Sequence, residues 1–161
     1  MIFHIIQANP KDAEEILNLQ KLAYRSEALL YNDWTIPPLT QSLSEIETEF
    51  ESMFFFKALN KTKIIGSVRT SYDGITCRIG RLIVHPKFQK KGIGTSLMKK
   101  IESAFSHAKR FKLFTGSKSI ENIGLYQRLG YQIVREESLS LSVRLVFMEK
   151  QQQKIKPDCQ G

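Results

Sequence analysis

The stretch LIVHPKFQKKGIGTSLMKKIE, Leu82 to Glu102, joins an apolar run to a helical pattern through a loop that carries both lysines and glycines. The apolar run closes CRIGRLIV, with the β-branched density of a strand. On the other side Ile93, Leu97, Ile101, Ala104, Phe105 and Ala108 recur on one face of a helix. The loop QKKGIGT, Gln89 to Thr95, therefore lies where a strand ends and a helix begins. The first amides of a helix have no internal partner, and the helix dipole adds partial positive charge there, so the position attracts a phosphate-like anion. Gly92 and Gly94 let the backbone approach a ligand closely, Lys90 and Lys91 add field, and Gln89 adds a directional hydrogen bond. Two glycines at a tight turn with no ligand are the competing local explanation. Walker A needs GxxxxGK followed by Ser or Thr, which is absent, and the GxGxxG fingerprint needs glycine where Leu97 stands.

Working outward from the loop, the spacing predicts an alternation of strands and helices. Ile2 to Gln7 reads as a first strand, Asn9-Pro10 as a helix start, and Ile16, Leu19, Leu22 and Ala23 as one face of a helix to about Ser26. LLYNDWTIPPLTQS reads as a loop, and a shorter helix follows near Ser42 to Glu51. MFFFKALN and KIIGSVRTSY form a hairpin around Asn60-Lys61, and Asp73-Gly74 turns the chain into CRIGRLIV. After the helix come a short strand FKLFTG, a helix SIENIGLYQRLG closed by Gly130, a strand YQIVRE, and LSLSVRLVF with Leu139, Leu141, Val143, Leu145 and Phe147 alternating onto one face. The order is β-α-α-β-β-β-α-β-α-β-β. It describes a mixed sheet of about seven strands with about four helices, in the α/β (α+β mixed) class.

At 161 residues the chain has the size of one domain, read as 1–149 with a polar tail at 150–161. No apolar run has the roughly 18 residues of a membrane span, and MIFHIIQANPKDAEE lacks the layout of a secretory signal, so a cytoplasmic location is expected. Cys77 and Cys159 are the only cysteines, no disulfide framework and no metal-binding pair, so no metal is expected. The net charge of +8 suggests a polyanionic partner: nucleic acid, an acidic membrane surface or a phosphorylated cofactor. The lysines crowd a glycine loop suited to a compact anion and lack the aromatic interleaving of an RNA-binding sheet, which ranks nucleic acid last.

The pattern QxxGxG after Val84-His85-Pro86, with the later SIENIGLYQRLGY, resembles the two signatures of the GCN5-related N-acetyltransferase (GNAT) superfamily. They stand in the family's order, and the element order matches over roughly Ile2 to Glu149; the likeness is to small bacterial members of unassigned substrate. The resemblance implies a single GNAT-type domain that moves an acetyl group from acetyl-CoA to a primary amine of a small molecule or peptide, without a metal. It implies that the amides of Lys91, Gly92, Ile93, Gly94 and Thr95 hold the CoA pyrophosphate, flanked by Gln89 and Lys90. Leu82, Ile83 and Val84 then lie along the pantetheine arm where this strand splays from FKLFTG. Tyr126 takes the place of the tyrosine that protonates the departing thiolate. Ser119 stands where the family often has an asparagine that touches the cofactor, with Asn122 three residues on; helix capping is the other role open to Ser119. The acceptor pocket falls on Tyr31 to Thr40, with Tyr31, Asp33 and Trp34 as lining candidates.

One departure bears on mechanism. Where several members carry a general-base glutamate, this chain has Arg78, which cannot accept a proton, and no Asp or Glu occurs from Ile75 to Gln89. His85, Asp33, Glu45 and Glu49 stand as candidate bases. The missing carboxylate keeps a non-catalytic acyl-CoA sensor as the alternative, with a basic nucleic-acid-binding domain behind it. A homodimer is compatible with either.

Overall fold

The computed structural model describes residues 1–152. From β1 (His4–Gln7) the chain passes Asn9, whose side chain accepts from the Lys11 amide at 2.9 Å, and a 3-10 turn into α1 (Ala13–Ala23). Then come α2 (Arg25–Tyr31), the single turn α3 (Pro37–Thr40) and α4 (Leu43–Ser52), which starts on a reciprocal capping box between Ser42 and Glu45. The strands β2 (Phe54–Asn60), β3 (Lys63–Tyr72) and β4 (Thr76–Val84) form an antiparallel meander. Helix α5 (Ile93–Ala104), β5 (Arg110–Gly116), α6 (Ile120–Arg128), β6 (Gln132–Ser138) and β7 (Arg144–Gln151) complete the order. The seven strands make one sheet, β1-β2-β3-β4-β5-β7-β6, antiparallel except for the β4/β5 pair.

The expected element order holds, with two helices added: α2, which starts before the segment read as a loop and runs into it, and α3 inside that segment. Only Ala28 and Tyr31 of α2 are buried, while Leu29 and Leu30 face outward, so no apolar stripe marked it. The chain bends at Tyr24 and not at Ser26, and Asn32, in left-handed conformation at φ 49°, ends α2.

The region LSLSVRLVF departs further. Residues 139–143 are the connection between β6 and β7, because Ser140 Oγ accepts from the amides of Ser142 and Val143 and the Leu139 amide donates to Val143 O. Leu139 and Leu141 are exposed, and the fully buried residues of β7 are Val146 and Met148, out of phase with the expected face. At the other end β7 continues through Lys150 and Gln151, which pair with Phe111 and Arg110, so the strand takes the first residues read as tail. Cys159 and the rest of the tail lie outside the described residues.

Each face of the sheet carries its own core. On one side Phe56, Val68 and Ile79 meet Ile93, Leu97, Met98 and Ile101 of α5. On the other, Phe55, Ile64 and Ile83 meet Ile16, Leu17 and Leu19 of α1 and Ile46 of α4. Each such side chain contributes about 1.5–3 kcal/mol by leaving water. Strand β3 is covered on both faces, and its one buried charge is Arg69. Arg69 Nη1 donates to Glu49 Oε2 at 2.5 Å and Nη2 to Gln20 Oε1 at 2.5 Å, with Cζ 4.6 Å above the Phe55 ring. Gln20 Nε2 in turn donates to Pro38 O and Gln41 Oε1, both at 2.9 Å, so one guanidinium ties α1, α3, α4 and β3 together.

Two stability predictions follow from these groups. Removing one partner of a buried pair strands the other, so Arg69→Leu is expected to cost about 3 kcal/mol in urea unfolding. Asp73 accepts from the Thr76 amide at 2.8 Å, the Ile75 amide at 2.9 Å and Arg78 at 3.1 Å, and the two amides, helped by Arg78, hold its carboxyl at about 2. A carboxyl depressed on folding stabilises above its unfolded value of about 3.9 and loses that contribution as pH falls through the folded value. Asp73→Ala is therefore expected to melt below wild type at neutral pH, with the gap closing between about pH 4 and about pH 2; a gap constant with pH in calorimetry refutes this.

Candidate active site

The site begins with a fault in the sheet. Ser67 of β3 opposes Ile83, yet Arg69 opposes Gly80, so β4 holds one extra residue there. Arg81 sits in that bulge at φ 51°, a left-handed conformation that a non-glycine residue seldom takes. Leading into the bulge β4 leaves β5: their pairing is confined to Thr76/Arg110, Cys77/Phe111 and Arg78/Lys112. Strand β5 meanwhile stays paired with β7 as far as Gly116/Leu145. A wedge opens between two parallel strands, and the β4 backbone beyond Arg78 has no strand on that side.

The glycine loop lies at one mouth of the wedge. Gly92 caps α5 at φ 82°, and Lys90 also takes positive φ, 61°. The first amide of α5 that closes a helical bond is Ser96, to Gly92 O at 3.0 Å, so those of Ile93, Gly94 and Thr95 are left for a ligand. A cleft of about 570 Å³ is lined by Leu82, Ile83, Val84, Gln89, Lys90, Gly92, Ile93, Gly94 and Thr95 from β4 and the loop, and faces Asn122 and Leu125 of α6. Lys91 is exposed and outside this wall, and Ser119 is buried just behind it.

Deeper in the wedge a narrower cavity of about 200 Å³ holds Tyr126, Tyr31, Arg81 and the Pro37-Pro38 pair; Tyr24, Glu27 and Leu82 line both spaces. Tyr126 is buried, and its ring lies edge-on to Tyr131, centroids 6.0 Å apart. Burial pushes its phenol well above the ordinary tyrosine range, and the charges of Tyr24 and Glu27 push the same way, so it is held as a neutral proton donor. Tyr31 reaches across to β5: its hydroxyl accepts from the Lys118 amide at 2.8 Å, and a Cβ at Gly116 would lie 2.7 Å from its Cζ, so that contact requires glycine.

Glu27 is the residue that sequence reasoning missed. Burial raises its carboxyl above the usual glutamate value, against the Ser119 hydroxyl, which donates at 2.7 and 2.6 Å to its two oxygens. Its signal was hidden with α2: once Arg25–Tyr31 is a helix, Glu27 falls beside Ala28 and one turn before Tyr31, on the inward face. The four candidate bases are placed elsewhere. His85 Nδ1 accepts from the Lys87 amide in the turn, with burial and then Lys63 and Lys87 lowering its pKa. Glu45 is spent on the α4 cap. Asp33 accepts from Thr35 and Ser142 and is lowered chiefly by Thr35. Asp33, Trp34, His85 and Glu45 line none of these spaces; Trp34 is 52% exposed. Glu49 does border a third, open groove of about 490 Å³ on the far side of Arg81, but is bound to Arg69.

With the wedge and glycine loop in place, the comparisons agree with the architecture. Residues 27–152 match the family model described as an acetyltransferase (GNAT) domain, and the chain belongs to that family. The Bacillus subtilis protein YdhI is 36% identical over 80 residues, 48% of this chain and 49% of that relative. The chain thus spans about half of that relative's length, and 34% of a second B. subtilis relative, YqkA, at 28% identity over 74% of this chain. In fold it is similar to the Escherichia coli ribosomal-protein-S18-alanine N-acetyltransferase, TM-score 0.80 at 13% identity over 98% of both chains. It is also similar to the PaiA N-acetyltransferase of Thermoplasma acidophilum in complex with coenzyme A, TM-score 0.76 at 16% identity over 94% of this chain and 99% of the other. No helix among the described residues is long and apolar enough to cross a membrane.

The Ser119 contact is directly testable. Because its hydroxyl favours the ionised carboxylate, Ser119→Ala is expected to raise the Glu27 pKa beyond its already elevated wild-type value, read by carbon NMR titration; a fall or no change refutes the coupling.

Proposed function

We propose that the chain is an acetyl-CoA-dependent N-acetyltransferase acting on a small primary amine. The observation that carries this reading is the wedge between β4 and β5, open over a glycine-capped helix start at one end and over a buried tyrosine and a half-buried carboxylate within. The donor set fits CoA. The amides of Ile93, Gly94 and Thr95, with Lys90 beside them, suit a pyrophosphate, and the unpaired edge of β4 at Leu82 to Val84 suits the extended amides of pantetheine. Asn122 borders the same cleft, and Ser119 acts on it through Glu27.

Acetyl-CoA supplies an acetyl group activated as a thioester. The chain's residues supply the rest. Glu27, at the junction of the two spaces, takes the proton of the attacking amine as the C–N bond forms. A backbone amide at the free edge of β4 near Val84 polarises the carbonyl oxygen. Tyr126 gives its proton to sulfur as the C–S bond breaks and regains one through Glu27, so one proton passes in net from nitrogen to sulfur. A raised carboxyl pKa serves this exchange, because a group nearer neutrality both accepts and returns a proton readily.

Two substitutions separate binding from chemistry. Gly92→Asp places a carboxylate in the anion cradle and forces a side chain onto φ 82°, and is expected to weaken CoA binding at least about 100-fold in calorimetry. Tyr126→Phe is expected to lower kcat about 10–100-fold while CoA affinity stays within about twofold; full turnover by this variant removes Tyr126 from the chemistry. Free-thiol release from acetyl-CoA with a panel of amines tests the activity itself, and CoA binding without release by any amine supports an acyl-CoA sensor instead.

A further inference from the structure

Of the residues lining the narrow cavity, only two carry charge, Glu27 and Arg81; the remainder is mostly apolar, including Ile36, Pro38, Ile79, Phe114, Val143 and Leu145. Arg81 has no carboxylate within ion-pair distance among the described residues, whereas Arg69, whose charge it feels, is neutralised by Glu49. Its guanidinium lies against the Tyr24 phenol, and its backbone is held at φ 51° by the bulge that opens the wedge. A half-buried guanidinium with no ion-pair partner is a costly arrangement that an oxyanion would relieve through a two-pronged hydrogen bond, and the bulge fixes where its side chain starts. In the groove beyond Arg81 the other cations, Arg69, Arg78, Lys112 and Arg135, are each paired with an acid, so Arg81 is the one cation lining both spaces that has no ion-pair partner among the described residues.

We infer that the acceptor is a small zwitterion: a primary amine with an apolar body and a carboxylate, of the size of a single amino acid, whose carboxylate pairs with Arg81 while its amine meets Glu27 at the thioester. This rests on the acetyltransferase reading and narrows it. The space of about 200 Å³ around these two charges suits a body of the size of a single amino acid. Polyamines are disfavoured by the sign of Arg81.

The test uses leucine, methionine and phenylalanine, each beside its carboxamide and its decarboxylated amine. Each compound is titrated by calorimetry into protein saturated with CoA and assayed for thiol release from acetyl-CoA. At least one acid is expected to bind about tenfold or more tighter than both of its neutralised counterparts, as loss of a charged hydrogen-bonded pair implies. Arg81→Gln should shrink that ratio to within about threefold, and Arg81→Lys should restore part of it, with CoA affinity and melting temperature followed in both. The inference is overturned if none of the acids binds, if acids and amides bind alike, or if the preference survives Arg81→Gln. Turnover with spermidine or a neutral amine in preference to every acid also overturns it, and leaves acetyl transfer standing. Conversely, Arg81-dependent binding of an acid with no thiol release from any amine upholds the anion site and removes the transferase reading.

Discussion

One extra residue in β4 governs this molecule. Two parallel strands that begin as neighbours at Thr76 and Arg110 would continue to exchange hydrogen bonds, and the sheet would close over. Arg81, accommodated as a bulge against β3, bends β4 so that the pairing with β5 ends at Arg78. The wedge, the free edge of β4 and the mouth above α5 all follow from that break. A sheet opened in this way loses hydrogen bonds, so the surrounding elements must hold it open at fixed width. Arg69 does so on one flank by binding Glu49 and Gln20, and Tyr31 on the other by reaching the end of β5.

The glycine-capped helix start was legible because its determinants are local. A glycine that must take positive φ, a helix start, and neighbouring lysines lie within seven residues, and the sequence displays them together. Tyr126, which lines the narrow cavity, stood out through its surroundings, LYQRLGY, which resemble a family pattern. The carboxylate did not. Glu27 depends on α2, whose apolar residues Leu29 and Leu30 point outward, so periodicity gave no reason to expect a helix. The bulge was hidden as well, because its left-handed residue is an arginine rather than a glycine, and CRIGRLIV reads as an uninterrupted strand.

The same distinction explains LSLSVRLVF. Five apolar residues in alternation satisfy the pattern of a half-buried strand, but Ser140 binds the amides of Ser142 and Val143 and closes a turn first. Side-chain hydrogen bonds over two or three residues compete directly with the ladder, and here they move the buried face of β7 by one residue, to Val146 and Met148.

The contact between Tyr31 and Gly116 has a bearing on how such a protein changes over time. The narrow cavity has one wall from α2 and α3, of which the first buries only Ala28 and Tyr31, whereas the cleft at the glycine loop is walled largely by β4 and α5, rooted in the main core. Substitutions at the exposed positions of α2 can reshape the smaller space at little cost in stability, while the contact of Tyr31 with Gly116 keeps that wall in register with the sheet. The two spaces meet at Tyr24, Glu27 and Leu82, so change on one wall is felt by the other only through those three residues.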